Sequence, residues 1–209
     1  MSQEMDGYNC AAKNIAVLAS GNGSNLDAII NAVNNGNIVN ANIGLVISNK
    51  KEAYALTRAK DAQIPTVYIQ RSLFNSDEEY DLHIINKLNE YQIDVVLLAG
   101  YLRIITSPFL KAFENRILNI HPSLLPAFGG KGMYGMKVHQ SVIDSKFKKS
   151  GCTVHLVTEK IDGGQILAQA CVCVTSEDTP ESLAAKILKE EHKLYPQAVN
   201  EFISTYGET

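Results

Sequence analysis

Asn119 and His121 carry the most chemistry in their spacing, at the head of Asn119-Ile120-His121-Pro122-Ser123-Leu124-Leu125-Pro126. They close a short apolar run, and residues two apart on a strand point to the same side. An amide and an imidazole emerging together suit a reaction that builds negative charge on a carbonyl oxygen. The same pair could instead satisfy backbone groups at the strand end. Asp162, in Ile161-Asp162-Gly163-Gly164, also has two readings. Asp-Gly favours a tight hairpin turn. A loop carboxylate there could also reach the His121 imidazole, favour its charged form and raise its pKa. Gly21-Asn22-Gly23-Ser24-Asn25-Leu26 is the third motif. Placed between a strand and a helix, it presents free N–H groups at a positive helix end, where a phosphate binds. A dinucleotide fingerprint would need glycine at Leu26 and an acid near Ser48-Asn49. No Gly-Lys-Ser/Thr follows the glycines, which excludes a nucleoside-triphosphate loop and favours a monophosphate cradle, then a plain turn, over a dinucleotide site.

The remaining candidates read more simply. His155 lies in a strand-like stretch with Thr153 and Val157, as a packed histidine would. His83 and His139 are expected on helix surfaces, and Glu190-Glu191-His192 on a solvated helix face. Cys10, Cys152, Cys171 and Cys173 form no Cys-x-x-Cys pair, so reduced thiols are expected. No His, Cys or carboxylate group has metal-ligand spacing, and no Gly-x-Ser-x-Gly elbow supplies a serine nucleophile. Gly129 to Gly135 is either a flexible connection or an active-site lid.

These motifs need elements to hold them. Nearly continuous apolar runs at 14–19, 43–48, 65–69 and 93–99 read as buried parallel strands. Between them, helical spacing covers 25–33, 51–62 and 76–91, the first closed by Asn35-Gly36 and the last opened by Asp77, Glu78 and Glu79. A fifth strand at 116–120 precedes the loop 121–135 and a helix at 136–145. Strands at 151–158 and 165–175 form a hairpin, and a helix at 180–205 closes the chain, with Pro196 expected to kink or split it. The alternation defines an α/β fold: a Rossmann-like, doubly wound, mostly parallel sheet with helices on both faces and antiparallel strands in the C-terminal half. A single domain is expected over 1–209, with 1–13 flexible, 14–113 a phosphate-binding half and 114–209 a catalytic half.

Composition excludes several classes. Lys and Arg number 19 against 22 Asp and Glu, a net charge of −3, which is wrong for a protein that coats nucleic acid. Apolar stretches as short as Val95-Val96-Leu97-Leu98-Ala99 do not span a bilayer. Two acids and no basic residue among the first ten argue against a secretory signal, so a cytoplasmic location is expected.

The glycine turn, Leu98-Ala99-Gly100-Tyr101-Leu102-Arg103-Ile104, the Asn119 to Pro126 element, Thr153-Val154-His155, Asp162-Gly163-Gly164, and Glu191-His192 before Tyr195-Pro196 carry a resemblance. Over nearly its whole length the chain resembles the phosphoribosylglycinamide formyltransferase family. The resemblance implies formyl transfer from 10-formyltetrahydrofolate, as co-substrate, to glycinamide ribonucleotide. It implies that Asn119, His121 and Asp162 are catalytic, and that Gly23, Ser24, Asn25 and Glu191 hold the ribonucleotide. Folate is assigned to Leu102, Arg103, Ile104, Ile105, Asn119, Thr158, Glu159, Lys160, Ile161 and Asp162, with His155 in support. No metal takes part, partners are small molecules, and the chain is a monomer or homodimer. Asp77 stands where many relatives have an arginine, which puts a contact to the folate glutamate tail in question. A formyltetrahydrofolate hydrolase is the enzymatic alternative; it and the tRNA formyltransferase usually carry an extra domain, for which 209 residues leave no room. A non-catalytic sensor of a phosphorylated metabolite would have no use for the Asn-His-Asp trio.

Overall fold

A computed structural model describes residues 12–205. Residues 1–11, with Cys10 and most of the segment expected to be flexible, lie outside the described residues. Lys13, the last of that segment, already belongs to the sheet, its N–H bonded to the Asn40 carbonyl at 2.8 Å. The first half runs β1 (Lys13–Ala19), α1 (Ser24–Asn34), β2 (Ala41–Ser48), α2 (Tyr54–Asp61), β3 (Thr66–Tyr68), α3 (Asp77–Glu90) and β4 (Val95–Leu98). It continues with α4 (Ser107–Ala112), β5 (Ile117–His121), α5 (Met136–Asp144), β6 (Lys149–Leu156), β7 (Ile166–Cys173) and α6 (Pro180–Thr205).

The strands form one sheet in the order β3-β2-β1-β4-β5-β6-β7. β1 to β5 pair in parallel, whereas β6 and β7 are antiparallel to their neighbours. Alternation along the buried strands feeds two cores. Ile15, Val17, Val95 and Leu97 face α1, α2, α5 and α6. Ala16, Leu18, Val96 and Leu98 face α3 and α4 on the other side. Because β1 lies beside β4, the chain leaves their carboxyl ends in opposite directions, opening the crevice where ligands bind in such sheets.

Two expectations change. α4 was not foreseen, because six residues with Pro108 in the first turn hold too little periodicity to stand out. α6 is continuous through Pro196, so of the expected kink or split the split does not occur. The adjacent Tyr195 is fully buried, and its single hydroxyl hydrogen is shared between the Leu98 and Leu118 carbonyls, 3.2 and 3.1 Å away. Anchored there against the ends of β4 and β5, the helix does not separate at the missing proline N–H.

Candidate active site

β5 delivers Asn119 and His121, and β6 places His155 directly across from Asn119. After β6 the chain turns back at Asp162, whose φ of 53° is left-handed. Gly163 N–H closes this turn on the Lys160 carbonyl at 3.0 Å. Gly164 lies so close to β6 that a Cβ there would sit 1.8 Å from the Leu156 carbonyl oxygen. Asp-Gly therefore makes a turn and delivers a carboxylate at once. Asp162 Oδ2 is 3.6 Å from His121 Nδ1, and its Oδ1 is 3.6 Å from His155 Nε2. The Gly130 N–H donates to Asp162 Oδ2 at 2.8 Å, tying the glycine-rich loop to the site. His121 Nε2 is 2.9 Å from the Phe128 carbonyl oxygen, so that nitrogen carries a hydrogen.

The electrostatics correct one expectation. His121 is buried, and desolvation lowers its pKa; the Phe128 carbonyl and the Asp162 charge push upward but do not compensate. Asp162 pushes the His121 pKa upward, as expected, but burial outweighs it, so the ring is not held charged as the expectation had it. At Asp162 burial pushes the pKa up, but the neighbouring His155 ring, 3.6 Å away, and the hydrogen bond from the Gly130 N–H outweigh it, and the carboxylate is favoured.

These groups border a cavity of about 760 Å³, in the range of small-molecule sites. Gly23, with φ of 76°, precedes α1, and the first helical amide to find a carbonyl is Asp27 N–H, on Gly23 O at 2.9 Å. The amides of Ser24, Asn25 and Leu26 thus have no earlier helical acceptor. Asn25 lines the cavity, while Gly23 and Ser24 stand in the same turn without bordering it. Arg58 braces the turn, its Nε donating to the Asn22 carbonyl at 3.0 Å. Asn25 Nδ2 donates to Glu191 Oε2 at 2.7 Å, and Asn25 Oδ1 is buried without a partner. Glu191 is 7% exposed, so it is no solvated helix face; burial raises its pKa against the Asn25 hydrogen bond.

Leu102, Arg103, Ile104 and Ile105 line the cavity, as do Thr158, Glu159, Ile161 and Asp162. Lys160 does not line it; its stem fills the space a Cβ on Gly163 would need. The Ser20 hydroxyl ties the Leu102 segment to the glycine turn, accepting from Leu102 N–H at 2.9 Å and donating to Asn49 Oδ1 at 2.6 Å. Asp77 accepts hydrogen bonds from both Arg71 and Arg103, and Arg103 lies over the Tyr80 ring. An internal carboxylate thus occupies the guanidinium of Arg103.

His139 also lines the cavity, only 5% exposed, and its Nδ1 is buried without a partner. This corrects its expected place on a helix surface. The available signal was its spacing from Val142, a position on the apolar face of α5. His83 is half-buried against the Phe74 ring, also short of a plain surface position. His192 is half-buried too, its Nε2 without a partner.

Burial lowers the pKa of His121, His139 and His192 below the ordinary histidine value of about 6.5. The unfolded chain then binds more protons than the fold between the lowered and ordinary values. Stability from these histidines is complete above about pH 6.5 and is lost as pH falls through that window. Glu191, with a raised pKa, acts oppositely and recovers stability on protonation. The urea midpoint should fall between pH 7.5 and 5.5, and less steeply in His139→Gln; an unaltered slope in that variant would remove His139 from the account.

Among the described residues no group of three or more His, Cys, Asp or Glu side chains is arranged to hold a metal ion. No described helix is long and apolar enough to cross a membrane.

A mostly parallel doubly wound sheet, with an amide, an imidazole and a carboxylate converging on a cavity at its switch point, defines an α/β enzyme of small molecules. The chain belongs to the formyl transferase family, whose profile, described as Formyl transferase, matches residues 13–199. It is 43% identical over 190 residues to phosphoribosylglycinamide formyltransferase of Haemophilus influenzae, covering 91% of this chain and 87% of that protein. The chloroplastic phosphoribosylglycinamide formyltransferase of Arabidopsis thaliana is 44% identical, over 94% of this chain and 68% of that one. In the trifunctional purine biosynthetic protein adenosine-3 of Homo sapiens, 41% identical, the match spans 18% of the length. Glycinamide ribonucleotide transformylase 1 from Symbiobacterium toebii superposes with a TM-score of 0.88 at 41% identity, over 92% of this chain and 88% of that one. Phosphoribosylglycinamide formyltransferase from Brucella melitensis does so with a TM-score of 0.84 at 44% identity, over 91% and 95%.

Proposed function

We propose that this formyltransferase moves the formyl group of 10-formyltetrahydrofolate to the amine of glycinamide ribonucleotide. One observation carries the reading: Asn119, His121 and Asp162 meet in the same cavity that Asn25 of the phosphate turn enters. The ribonucleotide phosphate takes the free amides at Ser24 and Asn25 with Gly23 making the turn, and Glu191 faces the glycinamide end. The pterin takes the part of the cavity lined by Leu102 to Ile105 and by Thr158, Glu159, Ile161 and Asp162.

The lowered His121 pKa sets the order of proton movements. With Nε2–H on the Phe128 carbonyl, a neutral His121 has a free lone pair at Nδ1. The amine nitrogen attacks the formyl carbon, and Nδ1 takes the proton the amine must lose. Asp162, held ionised, stabilises the imidazolium, and Asn119 donates to the developing oxyanion. Collapse breaks the bond to the folate nitrogen, which receives the proton from Nδ1. The 3.6 Å between His121 and Asp162 exceeds a hydrogen bond, so the contact tightens, directly or through water, as charge develops.

Absorbance of purified protein with 10-formyltetrahydrofolate tests the reading. Tetrahydrofolate should appear only when glycinamide ribonucleotide is added. Release without the ribonucleotide would identify a hydrolase and overturn the proposal.

A further inference from the structure

The geometry points to His155 as the positioning residue that orients the Asn119 amide, acting as a neutral imidazole with its hydrogen on Nδ1. His155 is 1% exposed and stands directly across the β5–β6 ladder from Asn119. Its Nδ1 is 2.9 Å from the Leu156 carbonyl oxygen. A carbonyl only accepts, so Nδ1 carries a hydrogen. Nε2 faces Asn119 Nδ2 at 3.1 Å and Asp162 Oδ1 at 3.6 Å. Only the amide lies within hydrogen-bond reach, and an amide nitrogen only donates. Nε2 therefore accepts through its lone pair.

This bookkeeping selects one end of the Asn119 side chain. With one N–H held by His155, the second N–H of the same nitrogen is left for the cavity that Asn119 lines. A hydrogen on Nε2 would reverse the pairing, drawing Asn119 Oδ1 onto His155. The groups facing His155 are thus Asn119 and, beyond bonding distance, the Asp162 carboxylate, with His121 next to them on β5. Orientation in advance matters because a donor fixed before reaction need not reorganise as charge builds.

The kinetic part of this inference rests on the formyl-transfer reading; the tautomer does not. In protein labelled with ¹⁵N-histidine, assigned by the signal missing from His155→Gln, His155 should show the pattern of a neutral ring protonated at Nδ1. An imidazolium or Nε2–H pattern overturns the proposal, even with no substrate present. In turnover, His155→Leu should lower kcat by roughly 10²-fold with both KM values nearly unchanged, the typical loss of one oxyanion donor. His155→Gln, which keeps an acceptor within reach of the amide, should restore most of it. In an Asn119→Ala background His155→Leu should cost nothing more. Multiplying losses in the double variant would mean that His155 acts on something other than Asn119. If His155→Leu fails to fold, the Gln variant and the ¹⁵N pattern still decide.

Discussion

Asp162→Asn should lower kcat by about 10²–10⁴-fold, the span attributed to positioned acid–base catalysis, with folate binding retained. The substitution keeps the shape of the side chain and an oxygen for the Gly130 N–H, now bonded at 2.8 Å, so the turn at 162 should survive. What it removes is the charge that stabilises His121 once that ring has taken a proton. The free imidazole is already disfavoured as a cation by burial, so its partner carries more of the load than at an exposed site. The loss should therefore appear in single-turnover formyl transfer, with the dissociation constant of a folate analogue moving little. Turnover equal to wild type would remove the carboxylate from the mechanism. His121→Ala should match this loss, since in the proposed mechanism both residues serve one proton path.

Gly23→Ala should cripple the ribonucleotide side selectively. Gly23 sits at φ of 76°, and a Cβ there would lie 2.7 Å from both Cα and Cβ of Ala55 in α2. A left-handed non-glycine residue costs about 1–2 kcal/mol, and the clash with α2 adds to it. The turn must then move off α2, taking the amides of Ser24 and Asn25 with it. The KM for glycinamide ribonucleotide should rise tenfold or more, on the order of 1.4 kcal/mol, and inorganic phosphate should compete less well. Gly21→Ala is the control, because its Cβ would meet nothing within 4 Å. Equal behaviour of the two variants would show that the turn's shape does not govern ribonucleotide binding.

The parts legible beforehand were those whose physics is local. Unbroken apolar runs mark strands covered on both faces, and the spacing of Leu26, Ile29, Ile30 and Val33 marks the buried side of α1. Asn119 and His121, two apart at a strand end, fall on the cavity as strand geometry requires. The element missed, α4, is too short to show a period, and α6 is not split at Pro196 because packing at Tyr195 outweighs a local preference.

By itself, then, the sequence determined the order of the strands and of every helix but α4, the glycine turn before α1 and the chemical groups at the end of β5. Each follows from forces between residues a few positions apart. Tertiary structure alone decided which groups lose their water and which charges meet. It buried Glu191 against Asn25, 166 positions away, drew His139 from a presumed surface into the cavity, and closed Arg71 and Arg103 on Asp77. It also left His121 favouring the neutral form beside a carboxylate. Desolvation and Coulomb energy depend on distance in space and on what surrounds a group, and neither quantity has a period along the chain.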